Sequence, residues 1–232
     1  MNSQRRVWGL LILVAAVVLL ASCAPAMARI TAEPGPQARA GDGETPPPPT
    51  PTSPPAAPAA DPENPCNQPP VAAPTPAPDP GYAQLDPSTG LHVTGKMQLI
   101  DLATYRLRVT GKVEKPLELS YDQIRCLPKV QASPILTCPG FFTDEATWAG
   151  APIAEVLALA VVQAGAQSVQ FVSADGYKTS LSLEKAMDPA NFLAYEWEGQ
   201  PLPRLHGFPL RVVIPEAEGN QWTKWVVEMK VE

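Results

Sequence analysis

Four cysteines, Cys23, Cys66, Cys126 and Cys138, and only two histidines, His92 and His206, limit the chemistry that this 232-residue chain can attempt. Cys138 closes the apolar run I-L-T-C and is followed by Pro139-Gly140, a turn pair that would present its sulfur on a loop. A deprotonated thiolate there is a soft, strongly donating metal ligand. A thiol with Cys126 twelve residues away and Cys66 further upstream could equally close a disulfide, and composition by itself favours the disulfide. The run H-G-F-P-L-R places His206 five residues before Arg211. Arginine offers a planar fork matched to phosphate oxygens, and histidine can donate to a phosphate or a ring heteroatom. Gly219 opens a turn before Trp222-Thr223-Lys224, and Asp175-Gly176 reads as a turn of its own. Taken singly, each of these residues reads as a surface or capping group. The sequence has no GxGxxG, P-loop, HExxH or CxxC motif and no CxxCH haem-attachment motif, so dinucleotide, nucleotide, simple zinc and built-in haem readings lack support.

The elements that must carry these residues occupy only part of the chain. Twenty of its 30 prolines lie between Ala24 and Gly90, in a stretch with almost no large apolar side chains. Such a stretch cannot bury enough surface to offset the entropy of ordering it. Residues 23–90 are therefore expected to be a disordered tether, extended where T-P-P-P-P-T-P-T-S-P-P favours polyproline II. Residues 1–22 have the form of an export signal, with Arg5-Arg6 ahead of an apolar run from Val7 to Ala21. Leu20-Ala21-Ser22-Cys23 looks like a bacterial lipobox, in which Cys23 receives the lipid. A lipoprotein anchored in the cell envelope, extracytoplasmic, is the expected localisation. Residues 91–232 carry 13 Lys and Arg against 16 Asp and Glu, a net charge of −3, which argues against nucleic acid as a partner.

Within that domain the period-two run Y-R-L-R-V from Tyr105 reads as a strand with one wet face. Ser120-Tyr121-Asp122-Gln123 fits a capping box ahead of a short helix that Pro128 stops. Val130–Thr137 reads as a strand that Pro134 sets at an edge or interrupts, and Pro152–Ala164 as the clearest helix, stopped by Gly165. Ser168–Val172, Phe192–Trp197, Leu210–Ile214 and Trp222–Val231 complete the expected strands, with a brief helix over Ser182–Met187. Strands that outnumber helices without regular alternation predict an α+β domain with a mixed sheet and a few short helices.

Several runs together resemble the molybdopterin-binding domain of sulfite-oxidase-type oxidoreductases. They are Y-R-L-R-V-T-G, L-T-C, W-A-G-A-P, A-M-D-P and the long L-A-Y-E-W-E-G-Q-P-L-P-R-L-H-G-F-P-L-R-V-V-I-P with K-W after it, over roughly residues 96–232. The resemblance implies a molybdenum–molybdopterin cofactor with Cys138 as metal ligand and catalytic residue. It implies that Asp175, His206, Arg211, Trp222, Thr223 and Lys224 bind the pterin and its phosphate. It further implies two-electron, oxygen-atom-transfer chemistry on a small-molecule substrate, with an external electron carrier, a cytochrome or a quinone-linked protein. The chain departs from the family's sulfite-oxidising pattern in two places. Asp144 and Glu145 follow Cys138 where basic residues are expected, which would repel a dianion. The upstream segment Gly95–Asp101 lacks an expected Arg and His pair. The short stretch after Lys224-Trp225 leads us to expect a minimal member, without the larger enzymes' dimerisation domain. The alternative is a non-catalytic lipoprotein that keeps the fold as a ligand- or partner-binding module, with Cys126 and Cys138 joined in a disulfide.

Overall fold

A small two-stranded arm comes first, β1 (Leu85–Asp86) antiparallel to β2 (Leu91–His92), closed by a turn in which Asp86 accepts from the Ser88 amide and hydroxyl. The structure is a computed structural model that describes residues 62–232. The signal-like segment, Cys23 and the Thr45–Pro55 run lie outside the described residues.

The Y-R-L-R-V run becomes β3 (Leu107–Gly111), in which Leu107 and Val109 are buried and Arg108 is exposed, as a period of two requires. It turns into β4 (Leu117–Leu119), and α1 (Tyr121–Arg125) follows with its capping box intact. The Ser120 side chain accepts from the Gln123 amide, and the Gln123 side chain accepts from the Ser120 amide. Pro134 splits the next apolar run into β5 (Val130–Ala132) and β6 (Ile135–Cys138), which belong to different sheets. The hairpin is completed by β7 (Phe142–Glu145), paired so that Cys138 faces Phe142. W-A-G-A-P is the fully buried strand β8 (Trp148–Pro152).

Next, α2 (Ile153–Ala160) stops four residues before the predicted end because Val161 turns left-handed, at φ 56°. The chain there is captured by the β3–β4 connection: the Glu114 and Lys115 amides donate to the Val161 and Ala160 carbonyls, and Val162 bridges Val113. Tertiary pairing overrides helix propensity at this point. β9 (Ser168–Ser173) and β10 (Lys178–Ser182) form a hairpin around Asp175-Gly176. A one-turn helix, α3 (Leu183–Ala186), is capped by Ser182. β11 (Phe192–Trp197), β12 (Gln200–Pro201), β13 (Arg211–Val213) and β14 (Val226–Val231) finish the chain.

These strands build two five-stranded sheets and two hairpin-sized ones. The first has the order β10-β9-β14-β3-β4, with β14 parallel to β3 and its other pairs antiparallel. In the second, β12-β11-β8-β5 pair in order and β13 joins β11. With three short α-helices among the described residues, this is the expected mixed-sheet α+β architecture. Its core is built on Trp148, Phe171, Phe192, Phe208, Leu107 and Leu193, all essentially inaccessible to solvent. The folded unit also takes in residues that composition assigns to the tether. Cys66 is bonded to Cys126, the Ser120 hydroxyl donates to the Glu63 carbonyl, and Arg204 Nε donates to the Pro74 carbonyl at 2.6 Å.

Candidate active site

The thiol of Cys138 is placed by the turn that ends β6. Pro139-Gly140 reverses the chain there, and the Phe141 amide donates to the Cys138 carbonyl at 3.0 Å. The sulfur opens on a cavity of about 290 Å³ whose wall includes Asp175, Trp222 and Lys224. The disulfide that the alternative, non-catalytic reading required does not form: Cys126 is bonded to Cys66, with Cα atoms 5.6 Å apart, and Cys138 is free. The Cys126–Cys138 disulfide is therefore overturned. The sequence could not show it, because Cys66 is carried onto α1 by a segment whose composition gives no sign of being held.

Four of the residues singled out by sequence converge on the cavity, namely Cys138, Asp175, Trp222 and Lys224, and His206, Arg211 and Thr223 lie outside its wall. Lys224 is buried, and its ammonium donates to the Leu205 carbonyl at 2.8 Å and to the Thr94 carbonyl. Burial pushes its pKa well below the ordinary lysine range, Arg211 adds to that push, and Asp175 pulls the other way. Arg211 is also buried, its guanidinium lying 4.8 Å from the Trp148 ring centroid and 5.6 Å from that of Trp222. Burial lowers it to about 10 against the raising pull of Asp144 and of the Cys138 sulfur. Its Nη1 donates to the His206 carbonyl at 3.3 Å, and its Nε has no hydrogen-bond partner among the described residues. His206 is 1% exposed. Its Nε2 sits 3.0 Å from both Asp86 Oδ2 and Thr89 Oγ1, and its Nδ1 is unpartnered among the described residues. Burial, with Lys224 and Arg211 nearby, brings its pKa down to about 4, so the ring is neutral at pH 7. Thr223 is buried, its hydroxyl 2.7 Å from that of Thr179.

Cys138 itself is held up by burial. Arg211 and Lys224 pull its pKa down, and Asp144 and Glu218 push it up. Asp144 does not meet incoming substrate in the way the sequence implies. It is buried, and it accepts from the His92 amide at 2.8 Å and contacts His92 Nδ1 at 2.6 Å. Strand alternation turns only its exposed neighbour Glu145 outward.

Sequence reasoning missed Tyr82, Thr94, Gly95, Ser173, Tyr177, Asn220 and Trp225 as cavity walls. Tyr82 sat in the presumed tether, and nothing in its neighbourhood marks it. Gly219 carried a signal, a glycine beside a bulky cluster. A Cβ there would lie 3.0 Å from Cys138 Sγ and 2.8 Å from Leu136 Cδ2.

The donor set fits a chelated, anionic cofactor. Among the described residues, no group of three or more His, Cys, Asp or Glu could hold a metal ion. Cys138 would thus be a single protein ligand to a metal that arrives on another chelator. Two buried cations with an orphaned guanidinium nitrogen call for an anion such as phosphate. Gly207, at φ 118°, keeps the chain clear between Arg211 and Lys224, whose Cβ atoms would lie 3.1 and 3.3 Å from an added methyl.

Mixed sheets, one thiol opening on the cavity and buried cations beside it are the features that the resemblance to a molybdopterin-binding oxidoreductase domain implies. The chain belongs to the oxidoreductase molybdopterin binding domain family, whose model matches residues 94–232. It is 33% identical over 174 residues to a sulfite oxidase of Arabidopsis thaliana, covering 59% of this chain and 44% of that protein. A putative protein-methionine-sulfoxide reductase subunit YedZ1 of Azospira oryzae is 30% identical over 127 residues, covering 55% of this chain and 48% of its own length. Among solved structures, the sulfane dehydrogenase SoxCD of Paracoccus pantotrophus superposes with a TM-score of 0.55 at 26% identity, over 58% of this chain and 40% of that one. The chain thus spans less than half the length of each of these relatives.

Proposed function

We propose that this protein is a molybdopterin-dependent oxidoreductase held in the cell envelope by lipid on Cys23, exchanging electrons with a separate cytochrome or quinone-linked carrier. The reaction is a two-electron oxygen-atom transfer on a small substrate. The bound molybdenum cofactor would supply the redox change and the exchangeable oxygen site. The protein's own part would be to ligate the metal through Cys138 Sγ and to receive the pterin and its phosphate between Asp175, Trp222 and the Lys224 ammonium, with Arg211, His206 and Thr223 behind that wall. Trp148 and Trp222 fix the guanidinium plane and exclude water from it.

The observation that carries this reading is the free thiol of Cys138 opening on the same cavity as the buried ammonium of Lys224. The rim of that cavity is aromatic. Tyr82 and Tyr177 stand at the wall, and Phe141, outside it, packs edge to face on Tyr82 with ring centroids 6.0 Å apart. Among the described residues, no basic side chain other than buried Lys224 lines the cavity, which argues against a small dianion such as sulfite.

The test is metal and pterin analysis of protein made in a host that synthesises the cofactor. Wild type should carry both and show visible sulfur-to-metal absorption, and Cys138→Ala should lose that absorption together with all turnover of artificial electron donors. Equal and negligible molybdenum in both proteins would reject the assignment and leave the fold untouched.

A further inference from the structure

Outside the β1–β2 hairpin and a few local turns, residues 62–95 are proline-rich chain with little hydrogen bonding of its own, so the segment depends on other elements to hold it in place. Here the holding points run along its whole length. At its foot Cys66 is bonded to Cys126 at the end of α1, and Arg125 donates to the Pro69 carbonyl at 3.0 Å. Midway, Arg204 grips the Pro74 carbonyl. At its tip, Tyr82 packs on Phe141 in the turn after Cys138, Asp86 contacts His206, and His92 contacts Asp144 on β7. The Thr94 carbonyl then accepts from Lys224, and Tyr82, Thr94 and Gly95 form part of the cavity wall.

Taking the cavity as the cofactor cleft proposed above, we infer that residues 62–95 are a strap closing one side of that cleft, and that the Cys66–Cys126 disulfide is its latch. The tip buries Leu91 and Val93 and makes the polar contacts above, whereas the stretch from Cys66 to Tyr82 is held chiefly by the disulfide, Arg125 and Arg204. Anchoring the foot covalently keeps the tip at a high effective concentration next to its sites. Cys66 is exposed and Cys126 half-buried, so the bond is accessible to exchange. The latch closes when the two thiols give up two electrons and two protons to a disulfide-bearing oxidant, which leaves as a dithiol while the new S–S bond forms. A chain that receives its cofactor with the thiols reduced would thus load through an open side, and oxidation would then retain what was loaded.

The experiment compares the full-length wild type with the Cys66→Ser/Cys126→Ser variant, both made in a cofactor-producing host. It follows iodoacetamide labelling of Cys138 in cofactor-free protein by peptide mass mapping, proteolytic cleavage within residues 62–95, and loss of molybdenum and pterin from loaded protein during dialysis. The variant should label Cys138 about tenfold faster or more, be cut in the strap, and lose cofactor faster, as expected when a local opening becomes easier. Wild type treated with a phosphine reductant should be cut in the strap and lose cofactor like the variant, then return to its original behaviour on reoxidation, which separates latch release from misfolding. Equal labelling, cleavage and loss rates in all samples would overturn the latch. Cofactor absent from every sample, with labelling and cleavage still changed by the latch, would reject the cofactor reading and leave the strap standing.

Discussion

At the scale of single residues, the position that decides access to the thiol has no side chain. Gly219 lies against Cys138, so a methyl there would come within 3.0 Å of the sulfur and 2.8 Å of Leu136 Cδ2. The leucine methyl can swing away, whereas the sulfur cannot do so without leaving the cavity. Gly219→Ala should therefore cost little stability, melting within about 4 °C of wild type, as expected for a change of less than about 1 kcal/mol. It should markedly lower molybdenum content and slow alkylation of Cys138. Calorimetry and metal analysis on one preparation test this, and normal metal loading would show that the cofactor does not pass between Gly219 and the thiol. The same scale shows how burial decides charge. Arg211 and Lys224 are each weakened as cations by burial, and each would regain favourable interaction when an anion arrives.

At the scale of elements, α1 owes its five residues to a cap rather than to length, since a single turn has little intrinsic stability. The Ser120 hydroxyl serves two bonds, accepting from the Gln123 amide at 3.1 Å and donating to the Glu63 carbonyl at 2.8 Å. Ser120→Ala removes both and should destabilise the protein by about 1–2 kcal/mol in urea unfolding. Gln123→Ala keeps the Ser120 hydroxyl but removes the reciprocal cap bond and the bond from Gln123 Nε2 to the Pro62 carbonyl at 2.9 Å, and it should cost less; equal losses would mean that the two Ser120 bonds contribute no more than the two Gln123 bonds. The capping box was legible in the sequence because it is a local device, written in four consecutive residues. The β6 turn was legible for the same reason, through Pro139-Gly140. The end of α2 was not, because it is set by pairing with the β3–β4 connection some forty-five residues earlier, where Lys115 and Glu114 supply the amides. The strap was illegible because its order comes from partners elsewhere in the chain, Cys126 and Arg204 among them, while its own composition favours disorder. At the site, the resemblance located Cys138, Asp175, Trp222 and Lys224 on the cavity. Which of the basic residues would stand behind its wall depended on packing of Trp148 and Asp86 that spacing does not encode.

At the scale of the whole molecule, the Asp86–His206 contact joins the strap to the loop before β13 across 120 residues of sequence, and it makes the fold sensitive to acid. The groups around the His206 ring are Asp86, Lys224 and Arg211. Burial and the two cations lower its pKa from 6.5 to about 4, while Asp86 alone favours the charged form. An unfolded chain therefore binds a proton at His206 through the window from about pH 6.5 down to about 4, and the native protein does not. Stability must fall as pH falls across that window, by up to about 3 kcal/mol from this one residue. Asp86 adds in the same direction at the lower end. Burial by itself would raise its pKa, but hydrogen bonds from Ser88, His206 and Thr89 outweigh that and hold it below 3.8. Its contribution is present above the ordinary carboxylate pKa and is lost as pH drops through its lowered one. Urea unfolding of disulfide-intact protein at pH 7, 5.5 and 4.5 should show this decline. His206→Gln, which cannot take up the proton, should be less stable at pH 7 and have a flatter pH dependence between 6.5 and 4.5. A variant whose stability falls as steeply as wild type over that interval would place the acid sensitivity elsewhere in the fold.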